Sequence, residues 1–212
     1  MEINANVVKE LRERTGAGMM DCKKALLETK GNVDLAIEYL RKKGLSAAAK
    51  KAGRATSEGT IGTYVHSNGK IAVMVEVNCE TDFVARNDNF QTFVKDIAMH
   101  IAAAAPVCVS AEDMPAEYIA KEKEIALAQM KEDPKMANKP AAVLDKIIEG
   151  KVQKLYDEQC LMGQKFVKNP DQSIKDLVSA TVATIGENIS IARFTRYVLG
   201  ENAKKGDAQE AN

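Results

Sequence analysis

Over the first fifty residues, apolar positions recur at helical spacing in three short blocks separated by glycine-bearing turns. Val7, Val8 and Leu11 form the first stripe. Thr15-Gly16-Ala17-Gly18 releases the backbone from helix, and a second block runs from Met19 through Ala25, Leu26 and Leu27 to Gly31, the expected C-cap. Asn32 is placed to cap a third helix that carries Val33, Ala36, Ile37 and Leu40 inward and is expected to stop at Gly44. A unit this small has only a small core, so it reads as an accessory domain for docking.

At Gly59 the period changes to two. Strand-like residues from Thr60 to His66 lead through Ser67-Asn68-Gly69-Lys70 into Ile71, Val73, Val75 and Val77, all on one face. Asn68-Gly69 between two such runs predicts a hairpin with a type I′ turn. Helical patterns follow at Phe90 to Ala105 (Phe90, Phe93, Val94, Ile97, Ala98, Ile101), Pro115 to Lys131 and Ala141 to Gln159, with Pro134 and Pro140 bracketing the turn between the last two. A further helix runs from a Ser173 cap to Gly186, and period two returns from Ile189 to Leu199. The order of hairpin, helices and closing strand predicts an α+β core, in which a small antiparallel sheet of about three strands packs against helices. The expected division is a three-helix unit over 1–45, a basic linker over 46–57, the α+β core over 58–200 and a disordered tail over 201–212.

Composition narrows the function classes. Lys+Arg and Asp+Glu balance at 30 each, so net charge selects no partner. A 45% hydrophobic and 28% charged chain has the material for a core, which excludes intrinsic disorder. The most apolar stretch, Ile97 to Val109, is broken by His100 and Pro106 and is too short to span a bilayer. The start, Met1-Glu2-Ile3-Asn4-Ala5, has no secretory pattern, so a soluble, cytoplasmic protein is expected. Cys22, Cys79, Cys108 and Cys160 lie far apart without metal-ligand spacing, which fits reduced thiols and neither a zinc site nor a disulfide framework.

Phosphate loops, dinucleotide fingerprints, zincin motifs and nucleophile elbows are all absent, so no enzyme, cofactor or metal is expected. His66 and His100 are the only histidines and read as structural; a Cys79/His66 nucleophilic pair across the hairpin is the remaining hydrolytic or thiol option. From Arg41 to Arg54 there are six basic residues and no acid. Phosphate neutralisation by this block would make a ribosome- or RNA-associated binding protein, although no aromatic residue interleaves it to stack bases.

Two segments exceed what the fold alone needs. Leu11-Arg12-Glu13-Arg14-Thr15-Gly16-Ala17-Gly18-Met19-Met20-Asp21-Cys22-Lys23-Lys24-Ala25-Leu26 exposes a turn and a methionine pair, an adaptable apolar contact. Glu76-Val77-Asn78-Cys79-Glu80-Thr81-Asp82-Phe83-Val84-Ala85-Arg86 runs from a strand into a helix start with one aromatic ring among polar neighbours. A purely structural account makes Asp82 or Asn87 an N-cap and has Phe83 and Val84 anchor the start of the helix. Together the segments resemble the two signature segments of bacterial elongation factor Ts, and the resemblance extends over essentially the whole chain, including Cys160-Leu161-Met162-Gly163-Gln164-Lys165-Phe166-Val167.

What this resemblance implies is a ubiquitin-associated-like N-terminal domain and a guanine-nucleotide exchange factor for the GTPase elongation factor Tu. It assigns Asp82 and Phe83 to a wedge near the partner's magnesium and phosphate site, with Thr81, Val84, Ala85 and Arg86 in support. It assigns Arg12, Thr15, Gly16, Met19, Met20 and Lys23 to docking of the N-terminal domain. No direct nucleotide binding, nucleic acid or membrane is implied. Relative to long family members, the chain is expected to lack a second core repeat and a helical coiled-coil insertion. A homodimer is expected in their place, because a three-stranded sheet leaves edges and Phe194 and Val198 share one face of the last strand.

Overall fold

Three short helices open the chain in the computed structural model, which describes residues 3–132 and 141–201. They are α1 (Ala5–Thr15), α2 (Met19–Glu28) and α3 (Val33–Lys51). The hairpin β1 (Glu58–Val65) and β2 (Ile71–Cys79) follows, then the one-turn helix α4 (Asp82–Ala85) and α5 (Asp88–Ala104). After α6 (Ala116–Glu132) and α7 (Ala141–Gln159) come β3 (Lys165–Phe166), β4 (Asn169–Ser173), α8 (Ile174–Ile185) and β5 (Ile189–Val198). The turn between Pro134 and Pro140 and the tail beyond Glu201 lie outside the described residues.

In the N-terminal unit, Val8, Leu11, Cys22, Ala25, Leu26 and Ala36 form a cluster of their own. Asn32 caps α3 by accepting the Leu35 N–H at 3.0 Å. The expected stop at Gly44 does not occur, because α3 continues to Lys51. Its second half lies along α8, and a Cβ at Gly44 would stand 3.7 Å from the Ser179 carbonyl oxygen. Packing against a second helix, which sequence periodicity cannot register, overrides glycine as a stop signal. Arg41 grips Asp176 on α8 through two bonds of 3.0 and 2.7 Å. Burial works to raise the Asp176 carboxyl, yet hydrogen bonds from Ser173 and Arg41 outweigh it and hold it below its ordinary value.

Because the space beside Gly44 accommodates a methyl at ordinary contact distance, Gly44→Ala is expected to stabilise the protein by about 1 kcal/mol, the helix propensity difference. Denaturant unfolding checks this; a loss of stability would mean that α3 and α8 need a closer approach than the geometry indicates.

The sheet is antiparallel throughout, in the order β1-β2-β5. Val73, Val75, Val77 and Cys79 of β2 join Ile189 and Ile191 of β5 in covering Phe90, Phe93, Val94, Ile97 and Ile101 of α5, the main core. The connecting turn is not type I′. Gly69 alone has positive φ, at 66°, and its N–H donates to the His66 carbonyl at 2.7 Å, while Asn68 accepts the Lys70 N–H through its side chain. A five-residue connection demands a left-handed residue only at glycine and spares Asn68 that conformation.

Phe194 and Val198 pair with Val75 and Ile71, and Phe194 packs on the core, so the face they share is the covered one. The apolar residues open to solvent lie on the other face: Ile61, Val65, Met74 and Tyr197, with Leu199 just beyond the strand.

Leaving the core after α5 and returning at Cys160, α6 and α7 form an antiparallel helical pair with its own seam of Ala126, Met130 and Ile148. The two helices expected from periodicity thus form a pair about 25 Å long. Its base is laced where Leu161 and Met162 N–H groups donate to the Cys108 and Val109 carbonyls. There the Cys108 and Cys160 sulfurs sit 3.5 Å apart as free thiols, and burial first, then Cys160, push the Cys108 thiol up to about 12. The short β3–β4 hairpin beside this base was invisible to periodicity, since two- and five-residue strands are too short to display it.

Wholly buried His100 ties the same region together. Its Nδ1 accepts the Val167 N–H at 3.3 Å and its Nε2 donates to Gln164 Oε1 at 3.0 Å, which fixes the neutral imidazole. Burial pulls its pKa below the ordinary 6.5, with Gln164 opposing weakly. The unfolded chain therefore binds the proton more readily, and folding stability should fall as pH drops below about 6.5. Urea titrations across pH are expected to show this slope in the parent and to lose it in His100→Gln; an equal slope in both would remove His100 from the linkage.

Candidate functional site

At the end of β2, Cys79 is buried and its thiol donates to the Thr81 carbonyl at 3.2 Å. Thr81 then caps α4, its hydroxyl accepting the Val84 N–H, and Asn87 caps α5 by accepting the Asn89 N–H at 2.8 Å. Gln91 reaches back to donate to the Ala85 carbonyl. Ala85 is buried and Val84 packs on the main core, so the single helical turn is planted by its last two residues. That planting turns the first two outward. Phe83 is 81% exposed, and Asp82 forms an exposed ion pair with Arg86 at 3.0 Å.

The structural account of this segment holds at Asn87, which caps α5, and at Val84, which packs on the core; it is corrected at Phe83, whose ring is solvated. A solvated phenyl ring gains little burial energy in the free protein.

The residues of the other segment gather at the end of α1, on the α1–α2 turn and on α2. Thr15 stitches the turn, donating to the Leu11 carbonyl at 2.7 Å, and Gly16 closes α1 with a φ of 65°. Arg12, Met19, Met20 and Lys23 are exposed, Met20 to 75%, and Leu27 extends their apolar surface. The two groups of candidates sit on separate clusters, the first on the main core and the second on the N-terminal one.

The hairpin register parts Cys79 from His66. Cys79 faces Glu58 at one end, while His66 follows Val65 at the other, roughly 25 Å away at strand spacing. Burial, then Glu187, push the Cys79 thiol up, so neither proximity nor a thiolate supports a nucleophile.

The sequence matches the family model described as Elongation factor TS over residues 6–201. The chain belongs to the elongation factor Ts family. A relative named elongation factor Ts from Geobacter sulfurreducens is 57% identical over 211 residues, covering 100% of this chain and 96% of the relative. The elongation factor Ts of Geobacter metallireducens is equally similar over the same shares, and that of Anaeromyxobacter sp. strain K is 59% identical over 96% of this chain and 91% of its own. No helix among the described residues is long and apolar enough to cross a membrane, and no metal-holding cluster occurs among them.

Within this elongation factor Ts chain, the basic block is mostly spent internally. Arg41 pairs with Asp176, Lys42 with Glu38, Lys43 with Asp21 and Arg54 with Glu80. Sequence reasoning missed the residues that hold the Thr81–Arg86 turn from behind. The Glu187 carboxylate accepts the Glu80 N–H at 3.1 Å, the Thr81 N–H at 3.0 Å and the Thr81 hydroxyl at 2.7 Å. Asn188 donates its N–H to Glu80 Oε1 at 2.6 Å and its side-chain amide to the Arg54 carbonyl at 2.9 Å. These partners lie over a hundred positions apart, and the only local signal was a polar pair between a helix and a strand.

Proposed function

We propose that this chain is a guanine-nucleotide exchange factor: it binds elongation factor Tu in its GDP form, inserts Asp82 and Phe83 near the magnesium and phosphate site, and promotes GDP release so that GTP rebinds. The observation that carries this reading is the solvated Phe83 ring on a turn whose Val84 and Ala85 are planted in the core. Thr81, Val84, Ala85 and Arg86 shape that turn. Residues 1–45 act as the docking domain, with Arg12, Thr15, Gly16, Met19, Met20 and Lys23 forming its contact, and 58–200 carry the wedge. The partner puts the chain in the cytoplasm. No covalent bond is made or broken, so nothing in the role is enzymatic in the usual sense.

Magnitudes shape the mechanism. A thousandfold faster release takes about 4 kcal/mol off the barrier, and burying one phenylalanine supplies about 1.5–3 kcal/mol. Asp82 must therefore contribute by disturbing the magnesium site, and docking elsewhere must hold both side chains in place. Coupling is reciprocal: GDP weakens the complex by the factor by which the complex weakens GDP. Release of fluorescent GDP from elongation factor Tu, with and without this chain, tests the reading, and release no faster with the chain sinks it. Repeating the assay across salt separates it from phosphate binding by the basic block, which would fall steeply with ionic strength.

The solvated apolar face of the sheet supports a homodimer in which two such faces meet. Met74→Glu, placed at the middle of that face opposite Thr63 and Thr195, is expected to weaken self-association at least tenfold without unfolding the monomer. Light scattering at tens of micromolar, the range of a ~7 kcal/mol association, checks it; a monomeric parent removes the dimer.

A further inference from the structure

We propose that Glu187 is a positioning residue for exchange: its carboxylate fastens the backbone behind the Asp82-Phe83 turn and so sets the direction in which the two side chains project. The inference rests on the exchange reading above and identifies what aims that site. Helix α4 has four residues, too few to hold its own geometry, and the Phe83 ring touches no core that could orient it. Val84 and Ala85 plant the end of the turn, and its start is fixed one step earlier, at Glu80 and Thr81.

Both N–H groups of that pair and the Thr81 hydroxyl are donated to one carboxylate, and bonds to an ionised acceptor are the stronger kind. The clasp is reciprocal, because the Glu80 side chain in turn accepts the Asn188 N–H. Only two residues separate the Gly186 cap of α8 from the start of β5, so Glu187 is held by regular structure on both sides. The Arg54 carbonyl, just beyond α3, receives the Asn188 side chain and brings the end of α3 to the same junction. A turn held in advance does not have to be ordered when it meets its partner.

The test compares Glu187→Ala, Glu187→Gln and Glu187→Asp in the full chain, with Phe83→Ala as reference. Hydrogen exchange at the Glu80 and Thr81 amides is expected to accelerate in Glu187→Ala while β1, β2 and β5 keep their protection. Maximal GDP release at saturating factor is expected to slow about tenfold, with the half-saturating concentration, set by docking elsewhere, little changed. Glu187→Gln retains a carbonyl acceptor and should recover most of the rate. Glu187→Asp, which keeps the charge but retracts it by one carbon, should fall between the two and serves if the alanine variant folds poorly.

Unchanged amide exchange in Glu187→Ala overturns the proposal. So does parental release in that variant when Phe83→Ala is slow, an outcome that leaves the wedge standing. Parental release in Phe83→Ala overturns the exchange reading and this role with it. A uniform loss of protection over the whole sheet, unrescued by Gln, would make Glu187 merely structural.

Discussion

Phe83→Ala is expected to slow release of GDP from elongation factor Tu by about 10- to 100-fold, the rate equivalent of the 1.5–3 kcal/mol that burying the ring supplies. The same variant should keep its folding stability within about 0.5 kcal/mol, because an 81% exposed ring leaves no cavity on removal. Asp82→Ala loses one exposed ion pair with Arg86, worth little to folding, yet should also slow release. The double variant should be less than additive, since the two side chains act in one site. Melting temperature and GDP release measured on the same three proteins decide the matter. Stability losses that track the activity losses would leave the wedge without support.

Phe90→Ala should do the reverse. Seven residues along the chain, this ring is fully buried between α5 and the sheet, and its truncation is expected to cost about 3–5 kcal/mol of folding stability. Where the variant remains folded, at low temperature and without denaturant, its maximal GDP release should stay within about threefold of the parent, as expected for a change that touches only packing. A small loss in urea unfolding would show that the core around α5 relaxes to fill the space. On the proposed reading the two phenylalanines form a matched pair, one serving folding and the other contact.

The difference between those rings was not legible from their spacing. Phe83 and Phe90 both stand near a helix start, and an apolar residue there ordinarily anchors the helix. Only the register of β2, the burial of Ala85 and the caps at Thr81 and Asn87 reveal which ring faces outward. The periodicity did identify α5, the strand with Val73, Val75 and Val77, the Ser173 cap and the closing strand, because each is a local pattern long enough to repeat. It failed at Gly44, where a helix stop signal was overridden by packing on α8, and at β3 and β4, which are too short for a pattern. The resemblance carried by the Leu11–Leu26 and Glu76–Arg86 segments supplied the family, which the match over residues 6–201 establishes.

By itself, then, the sequence determined the α+β class, the three opening helices, the inward face of the hairpin and the segment to examine, since these follow from side-chain period and capping within a few turns of chain. Tertiary structure alone decided that Phe83 is solvated, that the open apolar face of the sheet is the one opposite Phe194, and that Glu187 holds the turn. The last two depend on which surfaces meet across a hundred residues or more, and the first on how α4 packs beside β2 and α5. Helical period and strand alternation say which side of an element is apolar, but only packing determines what covers it.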